Sequence, residues 1–313
     1  MMDSEERKRN ICESYSKDFW EDWPAVLDDL IAKLNDRSYV VPSKLVNGIF
    51  RAVLVIDYIR NSFPLGISIL DMGCGVGYNS CFLAMEGYQV KGFDGSKTAI
   101  GRAKALAIKN EIDPDIFILS DHSYLEQIPD NSLDVAIAMG FIYYLDEADR
   151  DYCYRHVHRV LKDQGKFLLT CSNKLFSAFA LNDSSLAFWA EMIDDFSSVS
   201  KILNTENTFD SLSEKVKVPA RAYENRSISR KYAIHDDNPL IYQQVVEPYG
   251  YEVEDILYPD CHLLPPALES EINLDALMAL KAKTCIQKAR NWRGVFMDYE
   301  FLVFLSKSTG NSK

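Results

Sequence analysis

Two aspartates enclose a glycine-rich segment, and this spacing is typical of a ligand-binding turn. Asp71 ends the apolar run at residues 67–70 and is followed by three alternating glycines, Gly73, Gly75 and Gly77. Because glycine has no Cβ, the backbone amides of such a turn can approach a bound molecule closely. A second apolar stretch, residues 88–93, ends at Asp94. This order of elements predicts the first half of a nucleotide-binding α/β sheet: a strand, a glycine loop, a helix, a second strand and an acidic residue.

The charges around the glycines indicate which nucleotide would bind. A dinucleotide fingerprint spaces its glycines G-x-G-x-x-G and seats a pyrophosphate at the helix N-terminus. Here the third glycine comes one residue early, and Asp71 would repel a pyrophosphate in a loop without Lys or Arg. S-adenosylmethionine carries an ammonium and a sulfonium but no phosphate, and its ribose diol suits Asp94 as a bidentate acceptor. The residues therefore favour S-adenosylmethionine, with NAD as the alternative.

The segments that follow extend this pattern over residues 67–172. An apolar stretch at residues 116–119 precedes Ser120-Asp121-His122, a second at residues 133–138 precedes Met139, and a third lies at residues 167–170. The ordered series resembles the motifs of class I S-adenosylmethionine-dependent methyltransferases. The resemblance implies that Asp121 receives the adenine amino group with His122 beside the ring. It assigns the cofactor site to the glycine loop with Asp71 and to Asp94, Gly95, Ser96, Asp121, His122 and Met139.

Two residues are candidates for the chemistry of methyl transfer. In this family the residues just past the fourth strand line the methyl group, so the resemblance places Tyr143 in the pocket and Tyr144 under the next helix. An oxygen acceptor also needs a base, whereas an amine need only arrive neutral. His235 precedes Asp236 and Asp237, which makes it either a base with an orienting acid or part of a solvated turn.

The resemblance implies a seven-stranded, mostly parallel, doubly wound sheet whose last strand is antiparallel. Residues 1–66 are predicted to form a helical segment. The resemblance implies that a tyrosine of this segment closes the cofactor pocket, and Tyr15 is the candidate; the alternative is that its aromatic cluster packs a helix against the domain. The methyltransferase core takes residues 67–172 and 241–308. Residues 173–240 are predicted to cap the acceptor site, with a structural or dimer-forming insertion as the alternative. A further helix is expected near residues 274–289.

The apolar spacing also predicts which helix faces are buried. The helix after the glycine loop should bury one stripe, Tyr78, Cys81, Phe82 and Met85. The helix over residues 239–249 should turn Ile241, Val245 and Val246 inward. A helix is also expected from Arg150 to Leu161, followed by a turn at residues 161–166.

Composition limits the function classes. The 313 residues carry a net charge of −12, which disfavours nucleic acid because phosphate contacts need a basic face. We expect a cytoplasmic protein with reduced thiols, because its seven cysteines show no paired spacing. We expect no membrane anchor, because the sequence has no long apolar run and no signal-like start. No metal site is expected. The predicted substrate is a small molecule, such as a sugar or a natural-product intermediate, that is methylated on oxygen or nitrogen. The alternative functions are an NAD(P)-dependent oxidoreductase and a non-catalytic partner subunit.

Overall fold

The computed structural model describes residues 46–180, 185, 235–259, 262–265, 290 and 292–308. Tyr15, most of the predicted cap and the helix expected near residues 274–289 lie outside these ranges. The described strands are β1 Ser68–Met72, β2 Gln89–Asp94, β3 Phe117–Leu119, β4 Leu133–Ala138, β5 Leu161–Asn173, β6 Asp236–Asp237, β7 Tyr251–Leu257 and β8 Glu300–Lys307. The described α-helices are α1 Val46–Ser62, α2 Tyr78–Met85, α3 Lys97–Lys109, α4 Glu147–Val160, α5 Phe176–Ala180, α6 Tyr242–Val246 and α7 Gly294–Met297.

Seven of these strands form one sheet in the order β3-β2-β1-β4-β5-β8-β7, and among these seven β8 alone runs in the direction opposite to the other six. The prediction of a mostly parallel, seven-stranded sheet with an antiparallel last strand is therefore confirmed. The two-residue strand β6 was not predicted. It pairs with Ser172 and Asn173 of β5, beyond the point where Ala138 of β4 makes its last pairing with Leu169.

The two faces of the sheet are covered by different helices, as a doubly wound fold requires. Helices α1 and α2 pack on one face against Ile69, Val135, Ile137 and Leu168. Helices α4 and α6 pack on the other face against Leu70, Ala136, Phe167 and Leu169. This alternation follows from the two-residue period of a strand. Because both faces are buried, the central strands are apolar at nearly every position. No described helix is long and apolar enough to cross a membrane.

Several predicted details of the helices are wrong. Met85 is 51% exposed, whereas Leu83 of the same helix is fully buried. The buried side of α2 is shifted because Ser80 turns inward and donates a hydrogen bond to Asp71. Ile241 is also exposed, and its neighbour Tyr242 is buried instead. Residues 239–241 form a 3₁₀ turn, whose tighter winding changes the phase of the buried stripe that follows.

Two predicted boundaries also move. Helix α4 begins at Glu147 rather than Arg150, because the Asp146 side chain accepts the Asp149 amide and caps the first turn. The turn expected at residues 161–166 belongs to β5, and the strand accommodates it with Gln164 at φ 61° and a register shift opposite β4.

A buried ion pair ties β6 to the sheet. Arg150 on α4 donates from Nη2 to both carboxylate oxygens of Asp237, at 3.1 and 3.0 Å, and both residues are 5% exposed. The Lys174 amide donates to the Asp237 carbonyl oxygen at 2.9 Å. Residues 173–174 and 235–237, which belong to the two ends of the predicted cap, therefore meet at the carboxyl edge of the sheet.

Removing one partner of this pair should destabilise the domain. Arg150→Met leaves a buried carboxylate without its counter-charge, and we expect a loss of about 3–5 kcal/mol in the free energy of unfolding. Urea unfolding followed by circular dichroism measures this loss. The control is Arg155→Met, which breaks an exposed pair with Asp151 and should cost at most about 1 kcal/mol. Equal effects of the two substitutions would contradict the expected cost of leaving the buried Asp237 carboxylate unpaired.

Candidate cofactor and acceptor site

The glycine loop joins β1 to α2 and leaves one of its glycines open to space. Gly73 has a φ of 67°, and a Cβ added there would lie 2.6 Å from the Phe141 ring. Gly77, at φ 82°, would meet the Phe117 ring at 2.5 Å. A Cβ on Gly75 would meet nothing within 4 Å. The outer glycines therefore accommodate the protein's own side chains, whereas Gly75 presents its backbone to the space above the loop.

Asp94 links this loop to the end of β2. Its Oδ2 accepts the Gly75 amide at 3.0 Å, and its Oδ1 accepts the Ser96 amide at 2.7 Å. Each carboxylate oxygen can accept a further bond, so Asp94 can still receive a diol. Burial raises the pKa of Asp94, and the two amide hydrogen bonds oppose that rise. Gly95 is exposed, whereas the Ser96 hydroxyl is buried and accepts the Ala99 amide as the N-cap of α3.

Asp71 lies beneath the loop, 2% exposed. Its Oδ2 accepts the Ser80 hydroxyl at 2.6 Å. Burial raises the pKa of Asp71 to about 7, the nearby Asp94 carboxylate adds to the rise, and the Ser80 bond opposes it. The Asp71 carboxylate therefore ties the end of β1 to helix α2 through the Ser80 hydroxyl.

The residues predicted at the adenine end are partly engaged elsewhere. Asp121 is exposed and accepts the Ser123 amide at 2.9 Å, capping a 3₁₀ turn. His122 places its Nε2 3.2 Å from Asp149 Oδ1 and packs edge-on against Tyr152. Both contacts are with α4, so the His122 ring is directed toward this helix. Met139, at the end of β4, is half-buried and packs against the core on the α1 side of the sheet.

The two predicted catalytic residues meet at this edge of the sheet. The His235 amide donates to the Tyr143 carbonyl oxygen at 2.9 Å. Tyr143 is 7% exposed, and the His235 side chain is 46% exposed. His235 Nε2 lies 3.8 Å from Asp237 Oδ1, which is too long for a hydrogen bond. Because Arg150 already holds Asp237, that carboxylate does not orient the imidazole as a catalytic acid would.

One buried ion pair at the site was missed by sequence reasoning. Arg51 on α1 donates from Nη1 to both carboxylate oxygens of Glu300, at 2.9 and 2.8 Å, and Glu300 is 1% exposed. A signal for it existed, because a charged residue at the start of an otherwise apolar buried strand needs a partner. The sequence does not identify that partner, which lies 249 positions away.

The raised pKa of Asp71 has a testable consequence for stability. Its folded pKa of about 7 exceeds the ordinary value of 3.8, so the folded state binds the proton more tightly than the unfolded state. The stability due to this group is present below about pH 4 and is lost as pH rises toward 7. Asp71→Asn cannot ionise and should gain stability relative to the parent across this range. Urea unfolding at stepwise pH measures the difference; a pH-independent difference would contradict the assignment.

Comparisons with known proteins agree with this architecture. Residues 70–169 match the family model described as a methyltransferase domain. A 110-residue stretch is 33% identical to the S-adenosyl-L-methionine-dependent Diels-Alderase iccD of Talaromyces variabilis, covering 34% of this chain and 37% of that protein. The match thus spans little more than a third of the length of this relative.

Two solved structures are similar in fold. The [4+2]-cyclase SpnF aligns with a TM-score of 0.51 at 16% identity, over 97% of each chain. A chain from the complex of the Haloferax volcanii Trm112 methyltransferase activator with a methyltransferase aligns with a TM-score of 0.50 at 16% identity, over 90% of this chain and 98% of that one. The family match shows that residues 70–169 form a methyltransferase domain, and the sheet order, with the glycine loop after the first strand, is that of the class I S-adenosylmethionine-dependent methyltransferase fold.

Proposed function

We propose that the protein binds S-adenosylmethionine at the glycine loop and transfers its methyl group to an oxygen or nitrogen atom of a small molecule. The observation that supports this most is the position of Asp94, whose two oxygens hold the Gly75 and Ser96 amides. The open face of Gly75 and the acceptor capacity left on Asp94 fit a nucleoside without phosphate. A sugar or natural-product intermediate is the acceptor class that we favour.

The chain's own residues contribute positioning and charge. Bound at this loop, S-adenosylmethionine supplies an electrophilic methyl group. Asp94 would hold the ribose, and Asp71 would favour the positive charge of the ligand from below the loop. Tyr143 would line the acceptor side of the pocket. Alignment of the two reactants would lower the activation barrier by several kcal/mol. For a hydroxyl acceptor, His235, whose backbone amide donates to the Tyr143 carbonyl oxygen, would take the proton at its imidazole.

A second candidate function is supported by the relative in Talaromyces variabilis, which is a Diels-Alderase. A [4+2] cycloaddition forms two carbon–carbon bonds and transfers no group, so the cofactor would be bound but not consumed. The same edge of the sheet would then hold a diene and its partner in reactive alignment. The two functions share the cofactor site and differ in whether the methyl group leaves it.

Cofactor binding is tested by calorimetry with S-adenosylhomocysteine. Asp94→Asn should weaken binding about tenfold or more, since it replaces an acceptor oxygen with a donor and removes a charge-assisted bond worth about 1.5–3 kcal/mol. The matched control is Asp113→Asn, because Asp113 also accepts the amide two residues on but lies in an exposed turn. Absence of binding by the parent, or equal loss in both variants, would overturn the proposal.

Mass spectrometry separates methyl transfer from cyclisation. With S-adenosylmethionine and a panel of phenols, sugars, amines and linear polyenes, methyl transfer should yield S-adenosylhomocysteine and a product heavier by one methylene. Cyclisation should yield an isomer of unchanged mass, and S-adenosylhomocysteine should support it as well. Formation of a heavier product that requires S-adenosylmethionine supports the first function. An isomer made equally well with either nucleoside supports the second and refutes the first.

A further inference from the structure

The two aspartates of β6 face opposite sides of the sheet. Asp237 meets Arg150 of α4, so the two-residue period of a strand turns Asp236 toward the side on which α1 packs. The strand partner of Asp236 agrees with this direction. Asp236 pairs with Ser172 of β5, which lies four positions after Leu168 and therefore on the same face, and Leu168 packs on the α1 side.

This position is close to the predicted acceptor site. Strand β6 continues the line of β4, and β4 neighbours β1, which leads into the glycine loop. Met139, directly after β4, packs on the same α1 side. The amide of His235, the residue before Asp236, donates to the Tyr143 carbonyl oxygen at 2.9 Å. Asp236 therefore lies where a substrate would face a cofactor bound at the loop.

A hydroxyl orients the Asp236 carboxylate and leaves part of it open to a ligand. Ser172 Oγ donates to Asp236 Oδ1 at 2.6 Å, and the residues that the structure describes form no hydrogen bond to Oδ2. The side chain is exposed. Nearby protein atoms still raise the pKa of Asp236 by burial, and the Ser172 hydrogen bond and the Lys174 charge oppose that rise. Oδ2 thus keeps its acceptor capacity for a ligand.

The charge of Asp236 differs from that of its acidic neighbours. Arg150 forms an ion pair with Asp237, and Arg51 forms one with Glu300, which lies on the other side of Ser172 in β8. Asp236 forms no ion pair with any residue in the described part of the chain. A positively charged group of a ligand would supply a counter-charge and offset the cost of burial.

We infer that Asp236, oriented by Ser172, binds a protonated amine of the small-molecule substrate. The inference rests on the proposed function, because it places that substrate at the carboxyl edge beside the cofactor loop. A cation fits better than a neutral hydroxyl, since a hydrogen bond between two ionised groups is the stronger one. An anion would be repelled. The substrate class is thus a small molecule that carries a basic nitrogen.

Binding of three matched fragments in the presence of S-adenosylhomocysteine tests the amine site. At neutral pH benzylamine is a cation, benzyl alcohol is neutral and benzoate is an anion, and ligand-observed NMR titration gives their relative affinities. We expect benzylamine to bind about tenfold more tightly than benzyl alcohol, as a charge-assisted hydrogen bond allows. Equal affinities for these two fragments, or a preference for benzoate, would overturn the inference.

Variants locate that preference. Asp236→Asn keeps the shape of the side chain and an oxygen for the Ser172 hydroxyl but removes the charge, so it should abolish the preference for benzylamine. Ser172→Ala keeps the charge and removes the orienting hydrogen bond, and should reduce the preference about threefold. The matched control is Asp163→Asn, which removes the same charge from an exposed position near the beginning of β5 and should retain the preference. A preference that survives in Asp236→Asn, or that is lost equally in Asp163→Asn, would refute the site.

Calorimetry with S-adenosylhomocysteine separates this inference from the proposed function. If the parent fails to bind the nucleoside, the proposed function falls and the inference falls with it. If the nucleoside binds equally well to the parent and to Asp236→Asn but the fragments are not distinguished, the amine site alone is wrong.

Discussion

The geometry of the site depends on the two hydrogen bonds that the Asp94 carboxylate accepts from backbone amides. This carboxylate joins two backbone segments that follow neighbouring parallel strands, the glycine loop after β1 and the turn into α3 after β2. A loop with three residues at positive φ has little conformational preference of its own. The hydrogen bond from the Gly75 amide to Asp94 fixes the position of the loop above the sheet. The Asp94 side chain remains partly exposed.

A second constraint comes from the unequal length of the central strands. Strand β5 continues past the end of β4, and β6 fills the vacated edge by pairing with Ser172 and Asn173. Parallel strands end at one edge of a sheet, so anything that continues this edge lies over the ligand-binding crevice. The overhang therefore brings His235 beside Tyr143, although 91 residues separate them in the sequence.

Two buried arginine–carboxylate pairs hold distant parts of the chain to this edge. Arg51 with Glu300 attaches the N-terminal helix to the last strand, and Arg150 with Asp237 attaches β6 to α4. Buried pairs contribute little net stability because desolvation offsets their attraction. Their bidentate geometry favours one relative orientation of the helices and strands over other, similar orientations. The edge of the sheet that carries Tyr143 and His235 is thus held by two ion pairs whose geometry fixes the orientation of the elements they join.

The sequence by itself determined the order of strands and helices, the glycine loop and the two acids around it, because periodicity, turns and glycine spacing are local properties. It also singled out Tyr143 and His235, although it could not show that their backbones meet. The tertiary structure alone decided which side of α2 is buried, because Ser80 bonds to Asp71 across the loop. It alone directed His122 toward α4 and paired Arg51 with Glu300. Contacts between residues far apart in the chain follow from strand register and the packing of helices, and neither is encoded in any short stretch of residues.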